Sequence, residues 1–355
     1  MNIGFIGTGW TEKVQIQTYK KAGLRPYGIA SGQYSNALKV QQGLDLPKAY
    51  QHWKELITDD NIEAVSIATP TFLHYEMAKF ALKNNKLVIC QAPLMNYSEA
   101  QNLLNYANQQ KGKAKILFDF ELRFVPVIQK LKQLIQVGLA GEIHWIELEY
   151  RHNFGLDSTA PYGWQNDLSK GGGVLNTIAD HLIDLSQWLL NDTITEVMAD
   201  SMVLIKERTD QHQLTQQATG DQHVQLLYTF GRQTKGRILT TALSAYQGID
   251  VIVHGSKGSF HLKNGTLLSN TGEDFPNKRW QTVEVLDVAK EALGPELGNY
   301  LFANGTYHFA RLLAQDSELL TNAASLREFA QVQQILDQAQ ASIQERVWKN
   351  VPLNR

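Results

Sequence analysis

The chain has a single cysteine, Cys90, so no internal disulfide can staple it. Cys90 lies on the apolar run "LVIC", where a buried thiol packing as a small hydrophobe is expected. The lack of disulfides fits a reducing compartment. Long hydrophobic runs are also missing: none reaches the about 18 residues of a membrane-spanning helix. The opening "MNIGFIGTGW" has no basic segment followed by a long apolar one. A cytoplasmic chain without a signal peptide is the expectation. Neither sign of charge dominates. At a net −2 there is no basic field and no basic–aromatic stripe to recruit nucleic acid or an anionic membrane. His52, His74, His144, His152 and His181 are scattered without ligand spacing, so no metal site is expected.

What is present is periodicity, and it changes once. Apolar runs at 2–7, 26–31, 63–70, 86–91 and 114–120 alternate with helix-like segments at 11–22, 34–44, 53–58 and 73–85. Ser35 is a candidate N-cap for the second helix. Ser98 with Gln101 forms a candidate capping box for a further helix ending near Gln110. This order argues for an α/β Rossmann domain, a doubly wound parallel sheet. After about residue 123 come a helix at 126–138 and longer strand-like runs at 142–152, 194–206, 223–230, 235–245 and 248–256. One helix, from Val174 to about Leu190, interrupts them, and another fills 325–345. The expectation is a dinucleotide-binding domain at 1–122. An α+β substrate and oligomerisation domain follows at 123–355, with a large, mostly antiparallel open sheet. Its C-terminal helix is a candidate to pack back on the first domain. The polar segment Asp210–His223 reads as an exposed loop.

Gly7-Thr8-Gly9-Trp10 directly follows the first strand. Gly7 permits a tight turn, and Gly9 lets the backbone approach a pyrophosphate at the start of the next helix. A plain strand–helix turn is the alternative. The third glycine of the full fingerprint is replaced by Glu12, whose size and charge would crowd that helix start. The second strand ends Ser31-Gly32-Gln33, with no acid for a ribose hydroxyl and no arginine for a 2′-phosphate. Ser31 or Gln33 is a candidate ribose partner, and the choice between NAD and NADP stays open.

The segment "SKGGGVLNTIADHLIDLSQWL" (169–189) runs three glycines into a helix. Glycines there leave no side chain to obstruct a ligand. Thr177 and His181, four apart, share an α-helical face, and Asp184 lies near it. Asp180 projects about 100° away from His181. Val174, Ile178, Leu182, Leu185 and Leu189 supply an apolar stripe. His181 is a candidate general base for a hydroxyl; a histidine satisfied in the core or at a domain junction is the alternative.

Together these segments resemble the glucose–fructose oxidoreductase/inositol dehydrogenase (Gfo/Idh/MocA) family over nearly the whole chain. "GFIGTGW" resembles its glycine turn, and "DDNIEAVSIATPTFLHYEMAKFALKNNKLVICQAPLM" its segment ending Glu-Lys-Pro-Leu. "FELRFVPVIQKLKQLIQVGLAGEI", "GGGVLNTIADHLIDL" and "VHGSKGSFHL" resemble three later motifs. The resemblance implies NAD(P)-dependent oxidation or reduction of a carbinol or carbonyl on a sugar, cyclitol or similar molecule. It implies a homodimer or homotetramer formed through the open sheet.

Carried over by residue, the family's catalytic lysine falls on Ala92, its preceding glutamate on Gln91 and its proline on Pro93. The aspartate falls on Thr177, while His181 and the following Asp184 are retained. Thr69, Pro70 and His74 match the cofactor-side loop, and Arg123 the Arg-Phe segment. Losing one positioned donor commonly costs about a hundred- to a thousandfold in rate. Lys170 is the candidate replacement cation, and Tyr162, Trp164, Arg123 and Asp184 are candidate substrate contacts. The alternative is a catalytically inactive member that binds a nucleotide or sugar-like ligand as a sensor or partner subunit.

Overall fold

The computed structural model describes residues 1–110, 115–272, 275–277, 279–315 and 322–352. The early apolar runs become β1 (Asn2–Ile6), β2 (Arg25–Ala30), β3 (Lys48–Tyr50), β4 (Ala64–Ile67), β5 (Leu87–Cys90) and β6 (Ile116–Phe118). They pair in parallel in the order β3-β2-β1-β4-β5-β6. All four residues of β4 are buried, as expected of a parallel strand covered on both faces. The chain winds outward from β1 in one direction and from β4 in the other. The carboxyl ends of these two strands therefore flank the switch point, where ligands bind in such sheets.

Helix starts differ from the sequence reading. Helix Tyr34–Gly43 has Gln33 at its N-cap with no side-chain bond, so Ser35 lies inside the first turn and caps nothing. Helix Tyr97–Gln109 is capped by Asn96, whose Oδ1 accepts from Glu99 N at 3.0 Å, rather than by Ser98. Asn96 is extended and Ser98 is helical, and only an extended residue can turn its oxygen back onto the first free N–H groups.

This unit comprises Met1–Val125 and, after a long excursion, Asp287–Ala330. The returning segment supplies helices Val288–Asn299 and Leu301–Ala314. Phe309, Ala310 and Leu313 share one core with Ile16, Tyr19 and Phe124. Gly305 lets that helix pack on the Glu121 carbonyl, which a Cβ would approach to 2.1 Å.

The second unit comprises Pro126–Leu286 and the residues from Gln331 on. Its strands are β7 (Ile143–Arg151), β8 (Ile194–Met202), β9 (Glu207–Thr209), β10 (Thr215–Gln217), β11 (His223–Phe230), β12 (Lys235–Thr241), β13 (Gly248–Gly255), β14 (Gly258–Lys263), β15 (Thr266–Thr271), β16 (Gln281–Val283) and β17 (Lys349–Asn350). Nine form a sheet ordered β16-β15-β14-β13-β7-β12-β11-β8-β17. Among the described pairs of this sheet only β7 with β12 is parallel. Burial alternates along β13, so one face is packed. The other carries interlaced charges, including Glu147, Glu149, Arg151, Arg237, Asp250 and His261 around a hollow of about 400 Å³. Helix Asp180–Leu190 is tied to β11 by a 2.8 Å hydrogen bond between Ser186 and Tyr228.

The Asp210–His223 segment is not a simple exposed loop. Thr215–Gln217 pairs with β9, and Ala218, Asp221 and Gln222 are buried. Its polar side chains turn inward to satisfy backbone groups: Gln222 accepts from Leu204 N and Ile205 N and donates to Ile205 O.

Candidate active site

Gly7 has φ +108°, and a Cβ on it would lie 2.1 Å from the Ala68 carbonyl. Its N–H donates to Ala30 O at 2.9 Å, so the ends of β2 and β4 close the turn. Gly9 faces open space, with nothing within 4 Å of a Cβ. Together with Thr8 and Trp10 it leads into a helix whose first N–H groups lack intrahelical acceptors. Glu12 is exposed and does not fill this helix start. The turn therefore fits a pyrophosphate. Trp10 packs edge-on to Tyr300, with ring centroids 6.0 Å apart. Thr11–Gln15 forms a π-helical turn before regular helix begins at Ile16. Ser31 is half-buried and Gln33 exposed at the end of β2, and both of these candidate ribose partners are neutral.

The loops after β4 and β5 are joined by His74. Its ring is buried, with Nε2 2.7 Å from Thr69 O and Nδ1 2.9 Å from Pro93 O. Burial lowers the ring's pKa, while the two carbonyls pull it upward. Pro70 opens the short turn Thr71–Leu73 before the His74 helix. Gln91 N donates to Ile67 O at 3.0 Å, and the Ala92–Pro93 peptide is cis. Ala92 offers only a methyl group where the resemblance puts a lysine.

In the second unit the glycine run serves packing rather than ligand access. A Cβ on Gly172 would meet Trp164 O at 2.4 Å, and one on Gly173 would meet the Asp221 carboxylate at 2.6 Å. Gly171 and Gly173 have φ of +75° and +91°. Asp221 Oδ1 accepts from Leu175 N at 2.8 Å, and its carbonyl accepts from Val174 N at 3.0 Å. Asp221 thus caps the helix that carries His181. Burial pushes its carboxyl up to about 6 against those backbone donors. This role has no signal in the sequence, because "TGDQH" lies in the polar segment that reads as an exposed loop.

The helix opens with a π-helical turn, Leu175–Ala179. The wider turn breaks the α-helical spacing assumed for Thr177 and His181. Asn176, Thr177, Ile178 and His181 are all half-buried, so Ile178 leaves the apolar stripe and joins this more open set. Thr177 Oγ1 donates to Gly173 O at 2.9 Å. The His181 side chain is 12% exposed, with Nε2 3.9 Å from Asp180 Oδ2. Adjacency in sequence thus did not keep these two side chains apart. Burial pushes His181 down to about 3 and Asp180 well above the carboxylate range. Asp184 is buried on the same helix.

Lys170 is half exposed and ion-paired to Asp167 at 3.2 Å. Tyr162 also bonds Asp167; burial first, then that carboxylate, raises its phenol. Lys170 therefore belongs to an Asp167-centred cluster with Tyr162. Trp164 starts the adjoining turn Trp164–Asn166. Arg208, absent from the sequence reading, holds the preceding loop by donating to the carbonyls of Gly155, Asp157 and Ala160. Arg123, in the first unit, is 3% exposed and paired to Glu328 at 3.0 Å, a buried structural tie.

Residues 1–118 match the family model described as an oxidoreductase family with an NAD-binding Rossmann fold, and residues 128–261 match the GFO/IDH/MocA C-terminal domain. An uncharacterized oxidoreductase of Synechocystis sp. is 26% identical over 364 residues, covering 99% of this chain and 96% of that protein. Myo-inositol 2-dehydrogenase of Thermotoga maritima is 24% identical over 268 residues, covering 74% of this chain and 75% of its own. Levoglucosan dehydrogenase, in complex with NADH and levoglucosan, shares the fold at a TM-score of 0.85 and 23% identity, covering 99% of this chain and 100% of that chain. The chain belongs to the Gfo/Idh/MocA oxidoreductase family, with an NAD-binding Rossmann domain at its N-terminus.

Proposed function

We propose that this protein is an NAD(P)-dependent dehydrogenase of a sugar, cyclitol or similar polyol, with His181 as proton acceptor. The observation that carries this reading is the His181 ring, accessible at one edge and held neutral by burial. Names of relatives support the substrate class: one acts on myo-inositol and another is bound to levoglucosan. The bound nicotinamide supplies the hydride acceptor or donor. Gly7 to Trp10 bind its phosphates, Ser31 or Gln33 meets the ribose, and Thr69, Pro70, His74, Gln91 and Pro93 shape the loops beside it.

Neutral His181 takes the hydroxyl proton as the carbinol is oxidised. The Thr177 hydroxyl donates its hydrogen bond to Gly173 O, so its oxygen is left to accept one from a substrate hydroxyl. Tyr162, Trp164 and Lys170 contribute a polar rim. Arg123 and Asp184 act through packing, because both are buried. With Ala92 no cation polarises the reacting oxygen, and turnover about a hundred- to a thousandfold below that of a lysine-bearing site is expected.

A second reading, a ligand-binding member without catalysis, is favoured by Lys170 being held by Asp167. Titration with NAD⁺, NADH, NADP⁺ and NADPH separates the readings, followed by a polyol screen. Binding with turnover that His181→Ala abolishes, at unchanged nucleotide affinity, supports the enzyme. Binding without turnover on any polyol supports the second reading, and no binding at millimolar concentration sinks both nucleotide readings. Burial lowers the ring's pKa, so the acid limb that His181 gives kcat/KM is expected below the ordinary histidine value of about 6.5. A pH profile that His181→Asn leaves unchanged counts against His181 as the base.

A further inference from the structure

A buried polar network lies beneath the glycine turn, with Gln15 at its hub. Gln15 Nε2 donates to Asp119 Oδ2 at 3.1 Å. Gln15 Oε1 accepts from Ser66 Oγ at 3.0 Å and from Thr11 Oγ1 at 3.4 Å. These bonds join the π-helical turn, β4 and the residue after β6. Thr11, Gln15 and Ser66 have no exposed surface, and Asp119 is 2% exposed. Asp119 Oδ1 meets no donor among the described residues.

An ionised Asp119 would have one neutral amide to hold its charge. Titratable groups around it come from the first helix (Tyr19), from β5 (Cys90) and from the turn after β6 (Glu121). None is a cation. The nearby stretch of β4 offers only Ser66, and helix Leu301–Ala314 meets the Glu121 backbone through Gly305. Burying a charge without a counter-charge is costly, and the group keeps its proton instead.

We infer that Asp119, buried with one unpaired oxygen and no counter-charge, keeps its proton and acts through Gln15 as a positioning residue for the Gly7–Gln15 turn, which loosens when Asp119 ionises. The link to cofactor affinity rests on the proposed function; the link to the turn does not. Burial raises this carboxyl to about 7, with the Gln15 donor pulling the other way. A buried carboxylate draws in more donors. The Gln15 amide already donates to it, so relief comes from local opening to water, which parts Gln15 from Thr11 and Ser66.

The test compares the wild type with Asp119→Asn, which keeps an acceptor for Gln15 and does not titrate. Carboxyl ¹³C NMR, assigned by the signal that Asp119→Asn removes, reads the proton directly. Amide hydrogen exchange over residues 7–15, compared between the two proteins at each pH, reads the turn. The expected result is a carboxyl midpoint near neutrality, with wild-type exchange outrunning the variant above it. NADH affinity should then weaken about three- to tenfold between about pH 6 and 8.5 in the wild type alone. Should Asp119→Asn not fold, Gln15→Met replaces it: the link is cut, and fast exchange at every pH is expected. A midpoint in the ordinary carboxylate range, or exchange that never differs between the proteins, overturns the inference. Absence of binding by both NADH and NADPH would sink the proposed function, while the carboxyl and exchange data still decide this inference.

Discussion

One methyl group separates two glycines that look alike in sequence. On Gly7 it would strike the Ala68 carbonyl at 2.1 Å, in a backbone conformation that L-residues rarely adopt. Gly7→Ala is therefore expected to cost about 1–3 kcal/mol, seen as a lower Tm, along with nucleotide binding. On Gly9 the same methyl meets nothing within 4 Å. Gly9→Ala should leave Tm unchanged and weaken only the nucleotide titration, because the ligand alone feels it. The sequence shows that a backbone comes close at a glycine, not what it comes close to. The same ambiguity explains the 171–173 run, where Gly172 and Gly173 admit Trp164 O and Asp221 rather than a ligand.

At the scale of the element, the helix carrying His181 depends on a residue distant in sequence. Asp221 satisfies Leu175 N at the helix start. Asp221→Ala is expected to cost about 1–2 kcal/mol of stability and to lower kcat more than it raises KM, since His181, the proposed proton acceptor, moves with its helix. Melting curves and steady-state kinetics on a turned-over polyol check both. Apolar spacing revealed this helix, but the π-helical turn at Leu175–Ala179 escaped notice because it depends on tertiary packing. Strands β1, β2, β4 and β5 were legible as buried runs. The parallel partnership of β7 with β12 was not, because strand order depends on long-range pairing that no local pattern records. Ser35 and Ser98 show the matching limit for caps: several polar residues compete near a helix start, and backbone conformation selects one.

At the scale of the whole molecule, the glycine turn, the loops after β4 and β5 and the His181 segment were all readable in order along the chain. The contribution of helices Val288–Asn299 and Leu301–Ala314 to the first unit was not, because no motif marks a return. A fragment of residues 1–125 lacks Phe309, Ala310 and Leu313, which share its core with Ile16, Tyr19 and Phe124. It is expected not to fold, giving a poorly dispersed amide NMR spectrum; a well-dispersed one would show the returning helices to be dispensable. The discontinuity also imposes an order on synthesis. At about 5–20 residues per second, a ribosome takes about 10–40 s to go from residue 125 to residue 330. Throughout that interval the nascent nucleotide domain carries Ile16, Tyr19 and Phe124 without their closing helix, a window in which a chaperone has something to hold.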